Sequence, residues 1–268
     1  MALIGLMSDF GLRDSYVAQM KGIILSICPS ATIVDISHGI GKYNVQEGMF
    51  LLASAVSCFP AGTIYLAVVD PGVGGSRRPL LLETRRGKFV GPDNGLLTLA
   101  AEIDGDVRAY HLTESQYFAE RVSSTFHGRD IFAHVVAHLA NGVSPSLLGH
   151  PISDYVRAKV PAPKLRDGEI HGVVLHIDGF GNVVTNIGSQ LLEQARLKFE
   201  DRLKLRTRDV IREIPLCRTY SDVNLGEFLA TIGGHGFLEF AVNRGDAATL
   251  MGLQVGNPII LQRVGLSV

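Results

Sequence analysis

The sequence predicts an α/β protein, with an N-terminal Rossmann-like α/β domain and a smaller C-terminal all-β domain closed as a barrel or sandwich. Three observations predict it. In the first half, short β-branched apolar runs alternate with segments whose apolar residues recur at helical spacing, the pattern of a mostly parallel sheet with helices on both faces. At Val160-Pro161-Ala162-Pro163-Lys164 two close prolines stop both helix and sheet, marking a linker. Beyond it the chain is short strands and turns, which a small barrel or sandwich closes. The expected domains are residues 1–160 and 165–268.

The elements follow in order. Leu3 to Ser8 is an apolar run ending in Asp9, a buried strand and not a signal peptide, since no basic segment precedes it. Val17, Met20, Ile23, Ile24 and Ile27 share one helical face, with Ser15 as the expected cap. Thr32 to Ile36 reads as a strand, Val45 to Val56 as a helix, and Thr63 to Val69 as an unbroken β-branched strand. Pro79 to Glu83 and Lys88 to Val90 read as strands, Leu96 to Ala101 and Ile131 to Leu139 as helices. In the second domain the expected strands are Gly172–Ile177, Asn182–Asn186, Leu203–Thr207, Phe228–Ile232, Phe237–Val242 and Pro258–Val264.

Composition narrows the function. The 268 residues carry 25 Lys+Arg against 26 Asp+Glu, a net charge of −1, and 46% are hydrophobic. A balanced charge gives no long-range attraction to nucleic acid or an anionic membrane, so neither is an expected partner. Three cysteines, Cys28, Cys58 and Cys217, show no CxxC spacing, which argues against a disulfide framework or structural zinc and for a reduced, cytoplasmic setting. No run approaches the ~18 apolar residues of a membrane span. Glycine is in excess, 30 residues against a usual share of about 7%. That excess points to many tight turns and close backbone approaches.

In an open parallel sheet, ligands bind beyond the carboxyl ends of the strands. Three strand ends carry polar groups there: Asp9 with Asp14 five residues on, Asp35-Ile36-Ser37-His38, and Asp70 in Asp70-Pro71-Gly72-Val73-Gly74-Gly75-Ser76-Arg77. Asp-Pro-Gly also makes an ordinary turn. No Lys-Ser/Thr follows the glycines and GxGxxG does not fit, which disfavours a nucleoside triphosphate. His127, in Phe126-His127-Gly128-Arg129-Asp130, precedes a helix on which His134 and His138 lie four apart. That pair could ligate a metal but lacks the Glu of HExxH, and it reads as helix-surface or domain-contact histidines. In the second domain, Asp178, Phe180 and Asn182 occupy a glycine-rich turn. They offer a carboxylate, an aromatic face and a bidentate amide, groups on which adenine stacks and hydrogen-bonds.

Taken in order, MSDFG…DS…KG (Met7 to Gly22), VVDPGVG…R (Val68 to Arg77), GPDNGLL (Gly91 to Leu97), FHGRD (Phe126 to Asp130) and IDGFGNVVTNI (Ile177 to Ile187) resemble the S-adenosylmethionine (SAM) hydrolase family. These proteins, also called SAM hydroxide adenosyltransferases, are relatives of fluorinase and chlorinase. The resemblance runs over nearly the whole chain. It implies an N-terminal α/β domain, a C-terminal β-barrel and a homotrimer with active sites between neighbouring subunits. The implied reaction is attack of water on the ribose 5′-carbon of SAM, yielding adenosine and methionine without metal or other cofactor.

The same resemblance implies roles for individual residues. Asp70, Arg77 and His127 match the group around the nucleophile, where the halogenating relatives carry uncharged side chains in place of the Asp and Arg. Asp9 matches the carboxylate holding both ribose hydroxyls. Asp14 and Asp178 match residues at the methionine end, Phe180 and Asn182 the adenine site, and Tyr43 an aromatic lining ribose and adenine. Gly233-Gly234-His235 stands where the family presents a hydroxyl residue to the methionine carboxylate, leaving backbone amides or His235 as substitutes. Two rival readings are a Ca²⁺-dependent nucleoside hydrolase built on Asp9 and Asp14, and a SAM- or adenosine-binding module without turnover.

Overall fold

The computed structural model describes residues 2–265; Met1 and residues 266–268, the outer ends of the two expected domains, lie outside the described residues. The chain divides into two compact units, Met1–Ala158 and Lys159–Val268.

In the first unit the elements are β1 (Leu3–Ser8), α1 (Tyr16–Ile27), β2 (Thr32–Ser37), α2 (Val45–Val56), β3 (Thr63–Val68), β4 (Pro79–Glu83), β5 (Gly87–Pro92), α3 (Thr98–Asp104), β6 (Arg108–Leu112), α4 (His134–Ala140) and β7 (Gly149–Ile152). Among the described residues they form a seven-stranded sheet in the order β2-β1-β3-β5-β4-β6-β7. The continuous apolar run of β3 is explained by two covered faces. Ile64, Leu66 and Val68 pack with Met20 and Ile24 of α1 and with Val135 and Val136 of α4. Tyr65, Ala67 and Val69 pack the other way, with Leu52 and Val56 of α2 and Ala100 and Ala101 of α3. Helices on both faces of a central sheet therefore follow from the alternation along one strand.

The expectation of a mostly parallel sheet holds for β2, β1, β3 and β5, which pair in parallel. It gives way beyond them, where β4 runs antiparallel to both β5 and β6, and β6 antiparallel to β7. The cause is the short turn after β4, closed by Thr84 N–H to Gly87 O at 3.0 Å, which leaves no room for a crossover helix. Ser15 precedes α1 but caps no backbone amide; its hydroxyl accepts from the Gln19 side chain at 2.9 Å. By contrast Asn44 caps α2, accepting from Glu47 N–H at 3.1 Å. β6 and β7 escape the sequence reading because β6 is short and mixed in polarity, and β7 carries Pro151 on the edge of the sheet.

The second unit contains β8 (Lys164–Arg166), β9 (Glu169–Ile177), β10 (Val183–Gly188), α5 (Ser189–Gln194), β11 (Arg202–Arg206), β12 (Ile211–Pro215), β13 (Phe228–Ile232), β14 (Phe237–Val242), α6 (Ala247–Met251) and β15 (Pro258–Arg263). Its sheet is antiparallel, in the order β12-β11-β15-β9-β10-β14-β13, with β8 on β9. A bridge between Leu216 and Ala230 joins the two ends, so the sheet is a nearly closed barrel. Its interior holds Val174, Val183, Leu203, Leu205, Ala230, Phe240 and Leu261. The proline stretch is tied to this unit, Asn186 Nδ2 donating to Pro161 O at 2.6 Å.

Candidate active site

The first unit holds a cleft of about 370 Å³ beyond the carboxyl ends of β1 and β3, lined by Asp9, Phe10, Asp14, Tyr16, Lys42, Tyr43, Asp70 and Val73. Asp9 follows β1 directly, and its Oδ2 accepts from the backbone N–H of Tyr43 at 2.8 Å. Tyr43 adopts φ +65°, a left-handed conformation that turns this amide back toward Asp9. Phe10, Tyr16 and Phe126 stack edge to face or tilted, with centroids 5.2–5.7 Å apart. That aromatic trio ties the loop after β1 to the segment carrying His127.

Asp70 lies two residues past β3 and lines the cleft. Arg77 grips it side-on, Nε donating to Oδ1 at 2.9 Å and Nη2 to Oδ2. Both side chains are over nine-tenths buried. The same Nη2 donates to His127 Nδ1 at 2.8 Å, and the guanidinium lies over the Phe132 ring, 5.3 Å from its centroid. Arg77 Nη1 is buried with no hydrogen-bond partner among the described residues. Because arginine only donates, the His127 Nδ1 lone pair is the acceptor, which places the neutral ring's hydrogen on Nε2. Burial and then the Arg77 charge push the His127 pKa below its ordinary 6.5, although Asp70 and Asp130 oppose them.

Two local features hold the trio together. Gly74, at φ +74°, passes so close to the segment before His127 that a Cβ would stand 2.1 Å from Ser124 O. Only glycine permits that approach. His127 itself precedes a wide π-helical stretch, Gly128–Ala133, that runs into α4. Such widened turns recur at functional sites. Asp130 anchors the entry, accepting from Ser123 N–H at 2.8 Å and pairing with Arg129. Burial alone would raise its pKa, but Arg129 and the Ser123 amide hold it low. Asn94, from GPDNGLL, braces the end of β3 by donating to Val69 O at 2.8 Å.

In the second unit a cavity of about 720 Å³ is lined by Asp178, Phe180, Asn182, Tyr220 and residues 242–246. Asp178 organises the turn: Oδ1 accepts from the amides of Phe180 and Asn182 at 2.8 and 2.9 Å, and Oδ2 from Asn182 Nδ2 at 2.9 Å. Phe180 is 82% exposed, whereas Asn182 is buried. Gly181, at φ +82°, sits against Asp246, where a Cβ would be 2.3 Å from its carboxyl carbon. Tyr220 donates to the buried Glu239, which also faces His235 Nε2 at 3.0 Å. Burial, then Glu239, push the Tyr220 phenol upward. His235 Nδ1 accepts from Phe237 N–H at 3.2 Å, so both ring nitrogens are engaged inside this unit.

The structure thus brings Asp9, Asp14, Tyr43 and Asp70 into one cleft, with Arg77 and His127 bonded in sequence to Asp70. It brings Asp178, Phe180 and Asn182 into one cavity of the other unit. Sequence reasoning missed Tyr16, Lys42 and Tyr220, none of which carries a local signal. It also missed Asn243-Arg244-Gly245-Asp246, whose polar turn after an apolar strand was readable. His134 and His138 are packing histidines: both are pushed down by burial, and the His138 ring lies 5.0 Å from Tyr117. Among the described residues no group of three or more His, Cys, Asp or Glu side chains is arranged around a metal position.

An α/β unit with a buried Asp–Arg–His chain at a strand end, followed by a barrel unit with an aromatic-amide cavity, defines the class: a two-unit protein with sites of enzymatic character. The chain belongs to the SAM hydroxide adenosyltransferase family, whose N-terminal domain matches residues 4–149 and whose C-terminal domain matches residues 172–260. It is 38% identical over 258 residues to the (R)-S-adenosyl-L-methionine hydrolase of Salinispora tropica, covering 95% of each chain. It is 32% identical over 283 residues to the fluorinase of an Actinoplanes species, again covering 95% of each. Among solved structures it is similar to an uncharacterized conserved protein from Thermotoga maritima, with a TM-score of 0.93, 37% identity and coverage of 97% of this chain and 100% of that one.

Proposed function

We propose that the protein hydrolyses SAM to adenosine and L-methionine, water attacking the ribose 5′-carbon. The observation that carries this reading is the Asp70–Arg77–His127 chain, whose Asp70 lines a cleft that also holds Asp9 and Asp14. Water's oxygen forms the bond to C5′ as the C5′–S bond breaks, and the electron pair stays on sulfur as the neutral thioether. The sulfonium leaves readily, so no acid need protonate methionine. What the site supplies is an oriented water and a destination for its proton.

Within the trio, Arg77 is permanently charged and the His127 Nδ1 lone pair is engaged by Arg77. Asp70 has filled two of about four carboxylate acceptor positions, which assigns proton acceptance to it. Arg77 fixes that carboxylate and offsets charge developing on oxygen. His127 presents Nε2–H as a donor. A carboxylate at position 70 also repels halide, which favours water over the halogenation the fluorinase relative's name describes.

Asp9 holds the ribose hydroxyls, Tyr43 lines the ribose and adenine region, and Asp14 pairs with the methionine ammonium. Phe180 stacks on adenine and Asn182 bonds its edge. Asp178 orders that turn and faces the methionine end. The relative's name specifies the (R) sulfonium centre, so that diastereomer is the expected substrate. No metal or cofactor takes part, the active enzyme is a cytoplasmic homotrimer, and its sites form between neighbouring subunits. Support for this assembly comes from family resemblance.

The test is to incubate both SAM diastereomers with excess EDTA and follow products by chromatography. Wild type is expected to release adenosine and methionine, preferentially from the (R) form. Asp70→Ala is expected to lose about 10²–10⁴-fold in kcat while still binding SAM. Turnover abolished by EDTA, or full activity in Asp70→Ala, contradicts the reading.

A further inference from the structure

The motif Asp35-Ile36-Ser37-His38 is not used by the mechanism above, yet its side chains form a continuous polar chain that reaches the end of β1. Lys21 Nζ donates to Asp35 Oδ2 at 2.7 Å, and His38 Nε2 faces Asp35 Oδ1 at 3.2 Å. His38 Nδ1 lies 2.7 Å from Ser8 Oγ, and the Phe10 amide donates to that same Oγ at 3.4 Å. The carboxylate can only accept, so Nε2 carries the ring hydrogen and Ser8 O–H donates to Nδ1. Every donor then points toward Asp35, whose charge Lys21 balances.

Serine, histidine and aspartate in one chain invite a nucleophilic reading, and the geometry rejects it. Ser8 is fully buried and His38 6% exposed, so no substrate reaches the hydroxyl. The ring is also reversed: serine sits on Nδ1 and aspartate on Nε2, whereas a serine nucleophile is served by Nε2.

The chain instead lies at the root of both loops that build the cleft. On one side Ser8 adjoins Asp9, just after the β1–β2 register shifts between Leu6 and Met7. The amides beyond Asp9 are held by this chain, Phe10 N–H on Ser8 Oγ and Gly11 N–H on His38 O at 2.8 Å. On the other side His38 opens the loop that carries Tyr43, whose amide bonds Asp9. We infer that Ser8, His38 and Asp35 are positioning residues: the buried Ser8–His38 bond fixes the two loops against each other and so aims the Asp9 carboxylate into the cleft. This rests on the reading of Asp9 as the ribose ligand.

The test compares Ser8→Ala, His38→Gln and His38→Asn, alone and with Asp9→Ala, by steady-state kinetics on SAM. In parallel, calorimetry measures binding of adenosine and 2′,3′-dideoxyadenosine. Asparagine places a polar atom near the Nδ1 position and keeps the Ser8 contact, whereas glutamine reaches only toward Asp35. Ser8→Ala and His38→Gln are expected to raise KM about tenfold with kcat changed less, and to erase most of the preference for adenosine over the dideoxy analogue; in the Asp9→Ala background the same changes add under about threefold. His38→Asn is expected to keep most of the preference. Unchanged hydroxyl preference in Ser8→Ala and His38→Gln, or full additivity with Asp9→Ala, overturns the inference. Adenosine binding without SAM turnover by wild type counts against the hydrolytic reading alone. A wild-type chain that binds no nucleoside overturns both.

Discussion

Among the described residues Asp70 and His127 are joined through Arg77, and that arrangement sets how the site responds to pH. His127 accepts from Arg77 through Nδ1, so protonating the ring sets two cations against each other and breaks the bond. Burial and Arg77 already push its pKa below 6.5, which keeps the ring neutral at pH 7. The neutral form is the competent one, so activity is lost as pH falls through the depressed value. The kcat/KM profile is expected to be flat near pH 7, with an acid limb whose midpoint lies below about 6.5. A midpoint above 6.5 contradicts this role for His127. At this scale the sequence named residues that the structure gathers into the cleft and the cavity, but not that Asp178 accepts three hydrogen bonds from its own turn or that His235 bonds Glu239. Those facts depend on long-range partners that local spacing does not encode.

At the scale of elements, the loop after β3 and the segment before the π-helical stretch act as one piece because Gly74 lets their backbones touch. Gly74→Ala pays about 1–2 kcal/mol for the left-handed backbone and also drives a Cβ into Ser124 O, so the loop must move. A shift of about 1 Å is expected to lower kcat/KM about 100-fold. Kinetics and thermal melting of this variant check it; a variant with wild-type kcat/KM shows that the contact does not position Asp70 and Arg77. Strong periodicity made α1, α2 and β3 legible, each within a residue of its structural bounds. The helix expected at Ile131–Leu139 begins earlier, because the π-helical Gly128–Ala133 has no distinct hydrophobic period. β4 was read as a strand, but its antiparallel direction was not, since direction depends on the length of a turn and not on a strand's own residues.

At the scale of the whole molecule, near-neutral charge suits a small substrate whose ammonium, sulfonium and carboxylate leave one net positive charge. The excess of glycine falls partly at the two site loops, as Gly74 and Gly181 show. Each unit has its own lined pocket, with the carboxylates in one and the aromatic-amide turn in the other. Light scattering is expected to give three times the 28.9 kDa chain mass for the active species. A fully active monomer rules out a site shared between subunits. The central claim is that water oxygen, and no other nucleophile, arrives at the ribose 5′-carbon. Turnover of SAM in ¹⁸O-water, with the adenosine fragmented by mass spectrometry, tests it most directly. The expected result is one labelled oxygen per adenosine, located in the 5′-hydroxyl; adenosine formed without label at that position contradicts the mechanism.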